Sequence, residues 1–268
     1  MHLSWLAEQN AEVIALALFV AMLVASEAGY RVGFRWHPKF DQSGKGHFGT
    51  AQGVVLTLMG LLLAFTFNMS VQRFETRRQL VLVESNALAG LYSRSDLLPE
   101  PQRRKFREFL RQYTDIRLSL LTVKPDDMAV ALREAINNSY RLQREMWAVV
   151  RDGIQHAQIK SAEELVGPLI DTFAIQRSRL YAYEGRVPDT IMWVLMGAAV
   201  IAAASVGYSG GLERHRGMLA KILLALTVSG VIMVMLSVDR PRGNLFRVSQ
   251  DPLIQVREAM NQEIEGTN

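Results

Sequence analysis

Residues 53–70, GVVLTLMGLLLAFTFNMS, carry no charge, and they run on without proline or turn signal into VQRFETRRQLVLVESNALAGLYSRSDLLP. The first part suits a bilayer and the second reads as helix in water. One helix over residues 53–98 would be about 69 Å long at ~1.5 Å per residue, more than twice a ~30 Å hydrocarbon core. A helix of that length joins a membrane region to a region outside it.

Three more apolar segments flank this one. Residues 13–26, VIALALFVAMLVAS, lie between Glu12 and Glu27, whose place at the ends favours interfacial exposure. That segment is short and reaches the ~20 residues of a span only if its flanks are used. Residues 190–208, TIMWVLMGAAVIAAASVGY, and 222–238, ILLALTVSGVIMVMLSV, complete the set, with Lys221 placed to snorkel. The expected fold is an all-α membrane protein. It has four transmembrane helices, a helical cytoplasmic insert between spans 2 and 3, and a second helix extended into the cytoplasm. The expected division is 1–71 for spans 1 and 2, 72–188 for the insert, 189–238 for spans 3 and 4, and 239–268 for a C-terminal tail.

The opening MHLSWLAEQNAE has no Lys or Arg. It lacks the basic start of a signal peptide, so the first apolar segment is expected to be retained. With four spans, both termini and the insert share one side. Arg31, Arg35, Lys39 and Lys45 lie in the first loop, and Arg214 and Arg216 in the last. Arg73, Arg77, Arg78, Arg177, Arg179, Arg186, Arg240 and Arg242 flank the spans on the other side. That excess places insert and termini in the cytoplasm.

The insert has helical periodicity and no period-two alternation. Phe106, Phe109, Leu110, Tyr113, Ile116 and Leu120 predict a first helix between Pro101 and Pro125. A second follows Asp126 and Asp127, with Val130, Leu132, Ile136, Tyr140, Met146, Trp147 and Val150 as its apolar positions. A third opens at Ser161, which has capping-box spacing to Glu164. It carries Leu165, Leu169, Ile170, Phe173 and Leu180, with Gly167-Pro168 delaying or kinking its start.

The chain has no cysteine, which excludes disulfides, thiolate metal sites and thiol catalysis. Its net charge of +4 comes from dispersed arginines, and no basic patch with interleaved aromatics points to nucleic acid. None of the five histidines (His2, His37, His47, His156, His215) has a partner at metal-ligand spacing. The glycines of SGKGHFG (residues 43–49) lack the Ser/Thr and the preceding strand of a phosphate loop, and read as a flexible loop between spans. No enzyme, cofactor or metal is expected.

Two stripes run along the second span. Gly53, Thr57, Gly60 and Ala64 form a small-residue face suited to close helix contact. Leu61, Phe65, Asn68 and Gln72 pass from apolar to polar toward the insert. Both stripes could simply pack within a bundle. The alternative is a pore wall, with an apolar constriction that gates by dewetting and a basic mouth that concentrates anions. Arg73, Arg77 and Arg78 also suit interfacial anchors and partners for Glu75 and Glu84. Asp239, Arg240 and Arg242, in the DRPRG run after the fourth span, form a structural membrane-edge motif able to lock the tail against the long helix.

Several stretches resemble a large bacterial family of four-span, bestrophin-like membrane proteins. They are EAGYR from Glu27 with Gly33, GLLLAFTFNMSVQRFETRRQL from Gly60, and ESNA from Glu84. Leu97-Leu98-Pro99, Arg179, Ala182, Arg186, Pro188, Gly207-Tyr208 and DRPRG from Asp239 extend the likeness along most of the chain. The resemblance implies a homo-oligomer, a pentamer in bestrophins, whose second helix lines an anion or small-solute pore in the bacterial inner membrane. It implies a neck at Phe65, with Leu61 in place of a neck aromatic and Thr57 in place of an apolar residue; the mouth at Asn68, Gln72 and Arg73 is the pore-wall reading of the stripe itself. The acidic run that forms a calcium clasp in some bestrophins is replaced here by Asp239-Arg240-Pro241-Arg242, so calcium gating is not implied. The other reading is a non-conducting membrane scaffold or sensor whose insert binds a protein partner.

Overall fold

The computed structural model describes residues 9–36, 42–121, 123, 127–155, 160–240 and 246–265. Among the described residues the chain is helical, with no strand. The helices are α1 (Ala11–Trp36), α2 (Gln42–Arg94), α3 (Gln102–Ser119), α4 (Met128–Gln155), α5 (Val166–Glu184), α6 (Asp189–Leu212), α7 (Met218–Asp239) and α8 (Asp251–Glu265). Short 3-10 segments occupy Ser95–Leu97 and Lys160–Leu165.

Helices α1, α2, α6 and α7 are long and apolar enough to cross a membrane, as expected. The first reaches span length through its flanks, as its short apolar core requires: α1 has 26 residues, because the helix runs on through the EAGYRVGFRW that follows that core. The long helix is longer than expected, with 53 residues or about 80 Å. It ends in the 3-10 turn at Ser95–Leu97. Its extra length lies at the start, where residues 43–49 are helical and not a loop. Glycine weakens a helix by ~1 kcal/mol without breaking it, there is no proline, and Phe48 meets Tyr208 edge-on at 4.6 Å between ring centroids.

The chain forms two compact units, Met1–Phe74 with Gly185–Arg247, and Glu75–Glu184 with Val248–Asn268. They are called here the span unit and the insert unit, and α2 contributes to both.

In the span unit, Leu18, Met22, Leu195, Ala199, Ile232 and Met235 make an apolar core. Its tightest contact is the seam between α1 and α6. A Cβ added at Gly29 would strike the Ala204 carbonyl, and one at Gly207 the Ser26 carbonyl, with Gly33 and Gly211 repeating the pattern one turn on. Both helices therefore carry Gly-x-x-x-Gly at their crossing, the geometry that lets backbones approach. The small face of Gly53 and Gly60, by contrast, has nothing within 4 Å of an added Cβ. Beyond the seam, Arg216 and Lys221 stand over the Tyr30 ring at 5.4 and 4.5 Å and Arg214 over Phe34 at 5.5 Å. Lys221 thus lays its cation on an aromatic face, and Glu27 pairs with Arg31 at 3.0 Å.

In the insert unit, Leu88, Leu91, Phe106, Leu110, Leu142, Met146, Leu165, Leu169 and Leu253 build the core. The face of α4 is the expected one in part: Met146 and Val150 are buried and Leu132 and Ile136 half-buried, but the buried line runs through Ala135 and Leu142. Val130, Tyr140 and Trp147 are exposed. Ser161 and Glu164 fall in a 3-10 segment, so the α-helix starts later, at Val166 beside Gly167-Pro168. The tail folds as α8 and returns to this core through Leu253 and Met260, while Tyr92 donates to the Met260 carbonyl at 3.3 Å.

Candidate functional site

Thr57, Leu61, Phe65, Asn68 and Gln72 follow one another at intervals of four, four, three and four residues, which keeps them on one line of α2. All five are exposed, Leu61 at 50% and Phe65 at 64%, and Arg73 is half-buried. The covered line of α2 in the span unit is a different one, through Met59, Thr66 and Ser70. Of the most apolar stretch of α2 only 17% is buried, against 33% for each other span. This chain's own bundle therefore leaves the Leu61–Phe65 line uncovered. The Thr57 hydroxyl donates to the Gly53 carbonyl at 2.9 Å, which spends its polar capacity within the helix.

Asp239 closes α7 and accepts the Val187 backbone N–H with both carboxylate oxygens, at 3.2 Å each. Val187 precedes Pro188, where α6 begins, so the carboxylate fixes the start of α6 to the end of α7. Arg240 donates to the Gln9 carbonyl just before α1. Arg242 lies outside the described residues, as do Lys39, His2, His37, His156, Pro125 and Asp126.

The insert unit holds a polar cluster that sequence reading missed. Glu84 of α2 is fully buried and has Arg117 Nε of α3 at 3.1 Å from one carboxylate oxygen. Arg179 of α5 donates to its other oxygen, and the Tyr113 hydroxyl approaches Glu84 at 3.3 Å and the Gln176 carbonyl oxygen at 2.8 Å. Gln143 of α4 also donates to Gln176. Arg179 reaches on to Gln250, 3.0 Å away, whose backbone carbonyl starts α8. Burial pushes the Tyr113 phenol far above its ordinary range, with the Glu84 charge adding to the shift. Burial likewise pulls the Arg179 guanidinium down, against the Glu84 carboxylate that holds it charged. Expected partners are thereby reassigned. Glu84 takes Arg117 and Arg179 from other helices, Arg78 pairs with Glu75 on its own helix at 3.3 Å, and Arg77 is buried instead of anchoring at an interface. A lone Glu on the apolar line Val81–Leu88–Leu91 was the available signal, since a carboxylate on a core face requires cations.

Four membrane-competent helices, with a helical unit built on the extension of the second, define a class: polytopic all-α membrane proteins with an insert between spans 2 and 3. Residues 20–253 match the bestrophin-like domain, and the chain belongs to that family. The fold agrees with crystal structures of a bacterial bestrophin homologue from Klebsiella pneumoniae. A point variant of it aligns with TM-score 0.66 at 11% identity, over 94% of this chain and 98% of that one. A structure of the homologue phased on zinc aligns with TM-score 0.63 at 11% identity, over 92% and 95%. No curated protein matches the sequence significantly.

Proposed function

We propose that the chain is one subunit of a homo-oligomeric channel, a pentamer, that passes anions or other small solutes, with α2 of each copy facing the axis. Thr57, Leu61 and Phe65 form the neck, and Asn68, Gln72 and Arg73 the mouth. The observation that carries this reading is the exposed apolar line on α2, which the bundle leaves bare while covering the neighbouring line at Met59, Thr66 and Ser70. Two large apolar side chains one turn apart suit a constriction that closes by dewetting, and a guanidinium beyond it raises the local anion concentration. The bestrophin-like sequence and fold support the same arrangement. In it, residues 72–188 and both termini face the cytoplasm at a bacterial inner membrane, and residues 239–268 form the tail.

Purified protein reconstituted in liposomes should release trapped halide, and Phe65→Ala should raise the flux by widening the neck. An impermeable monomer or dimer overturns the proposal and leaves a scaffold whose insert binds a protein partner. In that case Phe65→Ala has no transport phenotype.

A further inference from the structure

A short polar link in the span unit holds its cations on aromatic rings. Helix α6 ends at Leu212 and α7 begins at Met218. Between them Glu213-Arg214-His215-Arg216-Gly217 turns through left-handed backbone at Arg214 (φ 55°) and Gly217 (φ 47°). The link is tied down, because the backbone N–H groups of Glu213, Arg214 and His215 donate to the Ser209, Gly211 and Gly210 carbonyls at 3.1, 3.3 and 3.0 Å. Arg214 is thereby kept in a conformation that costs a non-glycine residue about 1–3 kcal/mol, with its guanidinium over Phe34 at 5.5 Å. Phe34 stacks on Tyr30 of the same helix at 6.1 Å between centroids, and Tyr30 carries both Arg216 and Lys221, at 5.4 and 4.5 Å. Two like charges on one ring repel each other. Among the described residues none of these three cations forms an ion pair, and Glu27 of α1 pairs with Arg31 instead. A ring face attracts a cation but leaves its N–H donors unspent.

Irregular backbone between two spans does not lie in hydrocarbon, so the link marks a surface of the membrane, where headgroups are. From that level exposed apolar side chains run inward. On α1, Val20 and Val24 are exposed on the helical line that ends in Arg31, and on α7 the exposed Met218 and Ile222 flank Lys221. We infer that the Arg214, Arg216 and Lys221 cluster binds the phosphate of an anionic phospholipid, whose acyl chains lie along these apolar side chains of α1 and α7. A negative headgroup offsets the repulsion at Tyr30 and gives the guanidinium N–H groups a charged acceptor. A zwitterionic lipid brings a cation of its own, and free phosphate brings no chains to cover apolar surface. The site is distinct from the exposed line of α2, and its occupancy does not depend on whether the protein conducts.

The test uses the full chain in neutral detergent. Its thermal midpoint should rise, with saturation, as phosphatidylglycerol is mixed into the micelles. Phosphatidylcholine, and inorganic phosphate at the same ionic strength, should leave it nearly unchanged. In Arg216→Gln the half-saturating fraction of phosphatidylglycerol should increase about fivefold, the effect of one basic residue near a lipid surface. Phe34→Leu keeps every charge but removes the ring under Arg214, and should raise that fraction about twofold or more, which charge alone would not do. Arg78→Gln, which removes an exposed cation paired with Glu75, should match the native chain. A rise with phosphatidylcholine or inorganic phosphate equal to that with phosphatidylglycerol overturns the inference. So does a half-saturating fraction in Arg216→Gln or Phe34→Leu no larger than in Arg78→Gln.

Discussion

In its membrane half α2 leaves Val54, Leu58, Leu61 and Phe65 about half exposed or more, whereas in its insert half it buries Val81, Glu84, Leu88 and Leu91 almost completely. Both halves belong to one uninterrupted helix. The difference lies in what surrounds each half. The insert half is wrapped by side chains of α3, α5 and α8, including a shared carboxylate that cannot face water alone. The span half buries Met59, Thr66 and Ser70 and half-covers Val55, Leu56, Leu63, Phe67 and Met69, and the Thr66 and Ser70 hydroxyls bond back to carbonyls of their own helix at 2.7 and 3.2 Å. In water an apolar face must be covered by protein, but in a bilayer lipid or another copy can cover it. The bare line of α2 is therefore compatible with a stable chain, and its composition is free to serve a pore.

The largest way to break this comparison is Glu84→Ala. It leaves Arg117 and Arg179 buried without their carboxylate, at a cost of about 3–5 kcal/mol. Denaturant unfolding followed through the insert helices should show it. A loss below about 1 kcal/mol would mean that the guanidiniums reach water and that the insert half is less enclosed than described.

Leu88→Ala and Leu61→Ala set the two halves directly against each other. Leu88 is 0% exposed, so its truncation should cost about 3 kcal/mol. Leu61, half exposed, should stay within about 0.5 kcal/mol and change flux instead. Equal losses from the two truncations would show that Leu61 is covered in the assembled protein, which does not fit an open neck.

A third pair asks where the span unit is really joined. Gly207→Val drives a side chain into the Ser26 carbonyl and should cost about 2–3 kcal/mol, with loss of monodispersity in detergent. Gly60→Val meets open space within the chain and should cost only the ~0.5 kcal/mol expected of a helical surface change. If Gly60→Val is the worse of the two, the small face of α2 is a contact between copies.

Most of the architecture was legible because apolar blocks and helical periods are local properties. The four spans, the helical insert and the overlong second helix all follow from runs within one segment. What stayed hidden depends on distant partners. Gly-x-x-x-Gly at Gly29/Gly33 and at Gly207/Gly211 can be seen in the sequence, yet nothing there says that the two repeats face each other while an added Cβ at Gly53 or Gly60 would meet nothing within 4 Å among the described residues. The loop reading of residues 43–49 failed because glycine content outweighed the absence of any proline. Helix α8 had its signals in Asp251-Pro252 and the Leu253–Met260 spacing, an acidic start with proline in the first turn. The carboxylate at Glu84 marked a buried site, but Arg117 and Arg179 could be assigned to it only in three dimensions.

The smallest expected effect concerns Tyr113, at the centre of that site. Its phenol is pushed far above the ordinary value of 10.0, first by burial and then by the Glu84 charge. The unfolded chain releases this proton near pH 10 and the folded chain keeps it, so the folded state binds more protons above that pH. Stability is then fully present below pH 10 and falls as pH rises beyond it, by about 1.4 kcal/mol per unit. Tyr113→Phe removes the titrating group together with its hydrogen bonds to Glu84 and Gln176. It should therefore be about 1 kcal/mol less stable at pH 8 and show a shallower decline between pH 10 and 11. Parallel declines in the two proteins would place Tyr113 in contact with solvent and weaken the contrast between an enclosed insert half and a bare span half of α2.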